Sequence, residues 1–208
     1  MAKVLIACEE SQIVCTAFRK LGHEAYSNDI QECSGGHPEW HLQMDCFEAI
    51  KLKEWDLMIA HPPCTFLTVA RNKYYKPEYD KKFPTQHQDR ENAVIFFMQI
   101  AKSSIGKIAI ENPVGIMSTR WRKADQYIQP YQFGDAERKT TGIWLKNLPK
   151  LISTNIVEPK LYTYKDGRTD GMWYVKTMQL RGEERMKIRS KTFLGIARAM
   201  AEQWGSIL

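Results

Sequence analysis

Short segments without helical spacing alternate with helical patterns along the first half of the chain. Five of them predict strands, and they span residues 3–8, 23–29, 40–44, 56–60 and 107–110. Three segments with apolar side chains at helical spacing predict helices, and they span residues 11–21, 46–52 and 92–104. Strands and helices in alternation are typical of a mostly parallel sheet with helices on both faces. We therefore expect a Rossmann-like α/β fold in a single domain.

The pattern is weaker in the second half of the chain. Residues 65–90 have no clear period and are rich in Tyr, Lys and Pro, so we expect a long loop there. It is either a mobile segment that contacts the substrate or a solvated surface loop. The remaining expectations are an amphipathic segment at 121–131, a polar loop leading into a strand at 133–145, short strand-like pieces at 146–182, and a last helix at 193–204 with Ser190 or Thr192 as its cap.

Composition narrows the class of protein. The 208 residues are 43% hydrophobic and 26% charged, which is ordinary for a globular domain. No apolar stretch is long enough to span a membrane, and we expect a cytoplasmic protein. Five cysteines without a Cys-x-x-Cys pair suggest neither a disulfide framework nor a metal site. The net charge of +6 favours a polyanionic partner.

One predicted strand ends in a cysteine. The apolar run at residues 56–60 stops at Pro62 and Pro63, which cannot continue the hydrogen bonding of a strand, and Cys64 follows. Ligands bind at the carboxyl ends of parallel strands, so a thiol fixed there is a candidate nucleophile. The alternative is a small buried cysteine that only packs.

Polar side chains follow other predicted strands in the same way. Glu111 and Asn112 come directly after residues 107–110, and we expect Glu111 near Cys64, although an ordinary loop carboxylate is the alternative. Asp29 and Asp45 end two further strands, where carboxylates can accept hydrogen bonds from ribose and adenine. The alternatives for this pair are a solvated carboxylate and a helix N-cap.

Two of these stretches resemble signatures of DNA cytosine-5 methyltransferases. Residues 60–65, Ala-His-Pro-Pro-Cys-Thr, are similar to the Pro-Cys motif, and residues 111–114, Glu-Asn-Pro-Val, to the Glu-Asn-Val motif. Nearly the whole chain resembles the small members of this family from phages and prophages. The other matching stretches are residues 22–23, 43–45, 132–134, 144–149 and 195–205. The resemblance implies a Rossmann-like methyltransferase fold.

The resemblance also implies an activity and its residues. It implies methyl transfer from S-adenosylmethionine to carbon 5 of cytosine in DNA, in a bacterial or phage-infected cell, with protection of phage DNA from restriction as the purpose. Cys64 matches the nucleophile that adds to carbon 6, and Glu111 matches the acid that supports the ring nitrogen and amine. The cofactor-binding positions implied are Cys8, Glu10, Ser11, Asp29, Asp45 and Pro62. The substrate-binding positions implied are Pro63, Asn112 and Lys139.

The chain departs from the family pattern in its first motif. The family has Phe-x-Gly-x-Gly-Gly, whereas the corresponding loop at residues 8–13 has no glycine. Two interpretations stay open: an altered donor site in which Glu10 accepts the methionine amino group, or a protein that has lost the donor. In the family's Gln-x-Arg-x-Arg motif only the cation at Lys139 is carried over.

The chain is also short for this family. Residues 146–189 form a short irregular insertion in place of a full target-recognition domain. A weak sequence preference, single-stranded DNA or a partner subunit would each fit that size. The same chemistry on RNA or on a free pyrimidine nucleotide, and a catalytically silent nucleic-acid-binding protein, are the rival functions.

Overall fold

A seven-stranded sheet forms the centre of the protein in a computed structural model that describes residues 1–208. The strands are β1 Lys3–Ala7, β2 Glu24–Asp29, β3 His41–Gln43, β4 Leu57–Ala60, β5 Ile108–Pro113, β6 Gln126–Ile128 and β7 Thr141–Lys146. Their order is β3-β2-β1-β4-β5-β7-β6. The first five strands in this order are parallel, and β7 runs antiparallel to both of its neighbours.

Helices cover both faces of this sheet. They are α1 Ile13–Lys20, α2 Cys46–Leu52, α3 Gln86–Ala101, α4 Met117–Arg120, α5 Met172–Gln179, α6 Gly182–Ser190 and α7 Leu194–Gly205. Helices α1 and α7 pack on one face, and α2 and α3 pack on the other. The expected α/β class, with a mostly parallel sheet between two helical layers, is confirmed.

The alternation of side chains along the central strands creates two cores. On β1, Val4 and Ile6 face the α1 and α7 layer, whereas Leu5 and Ala7 face the α2 and α3 layer, and all four are fully buried. Such a strand is buried on both faces, which is why it reads as a continuous apolar run in the sequence.

The strand order points to a ligand-binding position at the carboxyl ends of the strands. The order reverses between β1 and β4, because β2 lies on one side of β1 and β4 on the other. In open α/β sheets, ligands bind outside the carboxyl ends of the strands at this reversal. The segments that follow β1, β2, β4 and β5 therefore meet at one place.

Helix α3 begins earlier than the sequence predicts, at Gln86 instead of residue 92. The extra turns are mostly polar, so no apolar periodicity marks them. They are held by Gln86, which is buried, and by Thr85, whose hydroxyl donates to the Asp89 carboxylate at 2.9 Å. The predicted long loop is shortened, and its remainder contains short 3-10 turns at Val69–Tyr75 and Pro77–Tyr79.

Strand β5 also runs further than predicted. It extends through Pro113 because β7 pairs with it antiparallel, with Glu111 opposite Ile143 and Pro113 opposite Thr141. A proline is tolerated at the end of a strand, where its missing N–H is not needed. Glu111 is therefore part of the sheet instead of a loop that follows it.

The cap expected for the last helix is wrong. Phe193 is the N-cap residue of α7, and neither Ser190 nor Thr192 caps it. Asp135, from the loop before β7, accepts a hydrogen bond from the Gly195 amide at 2.8 Å. A distant residue supplies this cap, so no local pattern could reveal it.

The segment between β7 and α7 carries its own secondary structure. A hairpin of β8 Leu161–Thr163 and β9 Thr169–Gly171 precedes α5 and α6. The two short strands agree with the strand-like pieces expected there, whereas the helices were not predicted. No helix of the protein has both the length and the apolar character needed to cross a bilayer.

Candidate active site

The ends of β4 and β5 bring the two motifs together. Ala60 pairs with Ile110 in the parallel register, so the next residues, His61 and Glu111, lie side by side. The Nδ1 atom of His61 lies 2.7 Å from Oε2 of Glu111. Both side chains are largely buried, with 10% and 11% of their surface exposed. The two strand ends are thus joined by a short, desolvated hydrogen bond.

The turn that carries the thiol is fixed by the same strand end. The Asn112 amide is buried and donates to the Pro62 carbonyl at 2.8 Å. This bond anchors the double proline to β5 and leaves Pro63 and Cys64 exposed at the surface of the turn. Asn112 therefore positions the turn, while its predicted contact with substrate stays a prediction.

Glu111 is a carboxylate in this setting. Burial alone would raise its pKa, but the hydrogen bond from His61 and the positive charge of Lys139 outweigh burial and lower the pKa to about 2. The group is therefore ionised at neutral pH. It can accept a hydrogen bond from an amine, and it can donate a proton only if a neighbour returns one.

Both negatively and positively charged side chains act on the thiol of Cys64. Partial desolvation by the surrounding loops raises its pKa, and the charge of Glu111 adds to this rise. Lys139 and Arg189 oppose both effects and favour the thiolate. The exposed sulfur, the carboxylate and two cations therefore act on each other in one small region.

Arg189 is a site residue that the sequence analysis missed. The Nζ atom of Lys139 donates to the Arg189 carbonyl at 3.1 Å, and the Arg189 guanidinium donates to the Thr177 hydroxyl at 3.0 Å. Both cations lie over the ring of Trp173, at 5.6 Å and 5.1 Å from its centroid. Helix α6 has no apolar periodicity, so only the fold reveals that it delivers a cation to Cys64.

The loop after β1, residues 8–13, contains no glycine but has two residues with positive φ. Cys8 and Gln12 adopt left-handed conformations, with φ of 59° and 58°. For a side chain other than glycine this costs roughly 1–2 kcal/mol, and it persists only where surrounding contacts hold it. Gln12 is held by hydrogen bonds to Ser27 and His37, and Gly35 packs so closely on it that a Cβ at position 35 would collide.

The other side chains of this loop are differently placed. Cys8 is partly buried, and a hydrogen bond with Cys46 together with burial raises its pKa well above the ordinary value. Glu9 is buried and accepts from the amides of Val14 and Cys15 at 2.7 and 3.2 Å, so it caps α1. The sequence analysis gave Glu9 no role. Ser11 is partly exposed and forms no side-chain hydrogen bond.

Glu10 is the exception within the loop. It is buried, and its Oε1 atom has no hydrogen-bond partner in the protein. An unsatisfied buried carboxylate oxygen is costly, so this atom marks a place where an external donor would fit. An ammonium group has the required chemistry.

Asp29 and Asp45 lie at neighbouring strand ends, as the sequence predicts. Asp29 is the last residue of β2 and accepts from the Gln31 amide at 3.0 Å, and Asp45 is the N-cap of α2 and accepts from the Phe47 amide at 2.8 Å. Each bond uses the Oδ1 atom. The Oδ2 atoms make no hydrogen bond within the protein, so capping and ligand binding are compatible at both positions.

A cavity of about 260 Å³ opens beside the double proline. Its lining residues are Pro63, Phe66, Asp89, Asn92, Ala93 and Phe96. Phe96 packs edge-on against Phe47 at 5.2 Å, next to the α2 N-terminus that Asp45 caps. The cavity thus lies between the turn of Cys64 and the end of β3, with apolar walls suited to a flat ring.

The chain matches no protein-family model and no curated protein by sequence. Three solved structures are similar to it, and two of them are described as methyltransferases. A prophage-encoded DNA modification methyltransferase of E. coli is 15% identical over 85% of this chain, with a TM-score of 0.48. The Dnmt2 methyltransferase of S. pombe is 14% identical over 72%, with a TM-score of 0.47.

The third structure is a mutant DNMT2 of Spodoptera frugiperda, 17% identical over 77% of this chain, with a TM-score of 0.41. The chain spans 64%, 50% and 55% of the lengths of these three proteins, in the order given. Because the identities are low, the function of this chain is inferred from its own side chains.

Proposed function

We propose that the protein transfers a methyl group from S-adenosylmethionine to carbon 5 of cytosine in DNA, through a covalent adduct with Cys64. The observation that carries this proposal is the pairing of an exposed thiol with a buried carboxylate at adjacent strand ends. Cys64 lies in the turn after β4, and Glu111 lies on β5, at the carboxyl end of the sheet, where open α/β sheets bind ligands. This is the pair of groups that the chemistry requires.

Carbon 5 of cytosine is a weak nucleophile until the ring is activated. Addition of the Cys64 thiolate to carbon 6 forms the S–C6 bond and pushes the ring electrons toward carbon 5 and the ring nitrogen N3. Glu111 stabilises this change by a hydrogen bond to N3 or the exocyclic amine. Lys139 and Arg189 favour the thiolate form of Cys64, which begins the reaction. The adduct is released when the proton on carbon 5 leaves and the S–C6 bond breaks.

The residues of the first loop and the next two strand ends fit the donor. The buried Oε1 atom of Glu10 has no partner in the protein that would compete with an ammonium group, and the Oδ2 atoms of Asp29 and Asp45 have none that would compete with hydroxyl or amine donors. The cavity beside Pro63 is small, and it would take a single ring system. When bound, S-adenosylmethionine supplies a methyl group on an electron-poor sulfonium.

The cationic side chains near the site fit a nucleic-acid backbone. Exposed basic side chains occur in the segment that follows the Cys64 turn and in or next to α5 and α6. These residues are Lys73, Lys76, Lys81, Lys82, Lys176, Arg181, Lys187 and Lys191, of which Lys187 is paired with Glu183. We propose that residues 146–189 serve here in place of a separate recognition domain. Contacts of this kind bind phosphates with little sequence preference.

The direct test is methyl transfer from labelled S-adenosylmethionine to cytosine-containing DNA, as duplex and as single strand. Label in 5-methylcytosine with the wild type, and none with Cys64→Ser, is the expected result. Competition by RNA and by cytidine nucleotides decides the substrate class. If either competitor is methylated in preference to DNA, the chemistry stands and the substrate assignment fails.

The glycine-free first loop favours one rival, a nucleic-acid-binding protein without a donor. Residues 34–37 cover this loop, since the Ser34 amide donates to the Glu10 carbonyl at 2.9 Å and Gly35 packs on Gln12. Isothermal titration with S-adenosylmethionine separates the two functions. No binding at millimolar donor, together with salt-sensitive DNA binding, would establish the rival.

A further inference from the structure

His61 occupies a place between the two motifs that the proposed chemistry does not use. It is the first residue after β4 and directly precedes the double proline. Its Nδ1 atom meets Oε2 of Glu111 at 2.7 Å, and its Nε2 atom is buried without a hydrogen-bond partner. A ring that touches the catalytic carboxylate from the protein interior can control the proton on that carboxylate.

Charged groups face His61 from three elements. Glu111 lies on β5, Glu9 lies in the loop after β1, and Lys139 lies in the loop before β7. Burial lowers the pKa of the imidazole, and Lys139 acts in the same sense. The hydrogen bond and charge of Glu111, with the charge of Glu9, outweigh both, so the pKa of His61 is raised above its ordinary value of 6.5.

Glu9 is itself buried. Burial is the largest effect on its pKa and leaves that pKa raised above the ordinary 4.5, although the charge of His61 and the amides of Val14 and Cys15 oppose the rise. Those two amides hold both oxygens of Glu9 at the start of α1. Its charge therefore acts on the ring through space, and no hydrogen bond joins it to His61.

We propose that His61 is a positioning residue that holds, as an imidazolium, the proton that Glu111 passes to the substrate ring; this rests on the proposed function. Glu111 is ionised at rest and has no proton of its own to give. On addition of Cys64 to carbon 6, N3 takes a proton from Glu111, and Glu111 takes one from Nδ1 of His61.

The proton is returned at the end of the cycle. Once carbon 5 carries the methyl group that a bound donor would supply, the C5–H proton leaves to solvent, the S–C6 bond breaks, and the thiolate is released. N3 then gives its proton back through Glu111 to Nδ1 of His61. No oxidant, reductant or additional co-reactant is needed, and the ring of His61 ends in the state in which it began.

The alternative role for His61 is a neutral imidazole that only orients Glu111. Both roles place a proton on Nδ1, so the geometry of the hydrogen bond does not separate them. They differ at Nε2, which is protonated in the imidazolium and bare in the neutral ring. The charges of Glu111 and Glu9 outweigh the cost of an unpartnered N–H at Nε2 and favour the imidazolium.

Nitrogen-15 NMR of the histidine side chains tests the charge state of the ring without donor or substrate, so its outcome does not depend on methyl transfer. The His61 signals are assigned by their loss in His61→Asn. We expect wild-type His61 to titrate above pH 6.5, with both ring nitrogens protonated at pH 6, and Glu111→Gln to move the titration below pH 6.5, where burial dominates. A smaller downward shift is expected in Glu9→Gln. A His61 ring that is neutral at pH 6 in the wild type would overturn the proposal.

A second experiment measures the activity of His61→Asn, whose side-chain amide can still donate a hydrogen bond to Glu111 but cannot supply a proton. We expect kcat to fall by roughly 100-fold with KM for DNA changed less than about twofold, as for the loss of a general acid. The wild-type kcat should also fall at high pH as His61 loses its proton, and this limb should vanish in the variant. Wild-type kcat and an unchanged pH profile in His61→Asn would refute the relay, whereas an inactive wild type would count against the proposed function instead.

Discussion

The carboxyl ends of β4 and β5 hold their polar side chains differently from those of β2 and β3. At the ends of β4 and β5, the fixed half of the site, hydrogen bonds join one strand end to the other: His61 bonds to Glu111, and Asn112 bonds to Pro62. At the ends of β2 and β3, the open half, Asp29 and Asp45 bond through Oδ1 to nearby backbone amides, and their Oδ2 atoms make no hydrogen bond within the protein. A reaction centre gains from fixed geometry, whereas a binding site needs groups left free for a ligand.

The first prediction concerns Cys64, the nucleophile in the fixed half of the site. Cys64→Ala should lower methyl transfer by at least roughly 1000-fold, because no other group can form the adduct. The melting temperature should hardly change, since Cys64 is exposed. Cys33→Ser, which alters a free thiol outside the site, is the matched control and should keep wild-type activity. Similar losses in both variants would mean that the effect is not specific to Cys64.

The second prediction removes the carboxylate of the same half. Glu111→Gln should lower kcat by roughly 100- to 10,000-fold, the range for a lost acid–base group. Stability should change with pH as well. The native pKa is about 2 against an ordinary 4.5, so the carboxylate stabilises the fold above pH 4.5, and this contribution is lost as the pH falls from 4.5 toward 2. Urea unfolding across this range should show a weaker pH dependence in the variant.

The third prediction concerns Asp45, which lies in the open half of the site. Asp45 caps α2 through Oδ1, and Asn can replace that cap but not the charge. Asp45→Asn should therefore weaken donor binding by about tenfold with little loss of stability. Asp45→Ala should weaken binding similarly and also cost about 1 kcal/mol of folding free energy. Isothermal titration and thermal unfolding of both variants measure the two effects, and unchanged donor affinity in Asp45→Asn would remove Asp45 from the donor site.

The smallest predicted effect concerns the cations beside the thiol. Lys139→Met or Arg189→Met should raise the pKa of Cys64, because each cation favours the thiolate. Alkylation of Cys64 by iodoacetamide at pH 7 should slow by roughly threefold to tenfold, as for a shift of half to one pKa unit. Arg198→Met removes an exposed cation on α7 and is the control. Equal rates in all three variants would show that neither cation acts on the thiol.

Strands β1 and β4 and the start of β5 are easy to find in the sequence because they are buried on both faces and appear as apolar runs. Four of the five predicted strands match the observed bounds to within two residues; the fifth, β5, extends three residues further than expected. The first turns of α3 and helix α6 consist mostly of polar residues, and the burial of Gln86 depends on tertiary contacts. Helix α5 contains apolar residues, but only Thr177 in it is buried, so no core-facing stripe marks it.

Some residues of the candidate site can also be found from the sequence, and others cannot. Cys64 and Glu111 can be found because prolines mark the ends of the strands that carry them. His61 and Arg189 cannot, since the role of each depends on a residue distant in the chain: His61 bonds to Glu111, and the charge of Arg189 on α6 acts on Cys64. The cap role of Glu9 is equally hidden, because a loop glutamate gives no sign of which amides it will face.

The covalent adduct at Cys64 is tested most directly with DNA that carries 5-fluorocytosine. Fluorine at carbon 5 cannot leave as the proton does, so release of the enzyme is blocked after methyl transfer and the S–C6 bond persists. With S-adenosylmethionine present, intact-mass spectrometry of the wild type should show a conjugate of one protein and one DNA strand, mapped by proteolysis to Cys64. Methylation of ordinary cytosine without any such conjugate, or a conjugate that persists in Cys64→Ala, would contradict the mechanism.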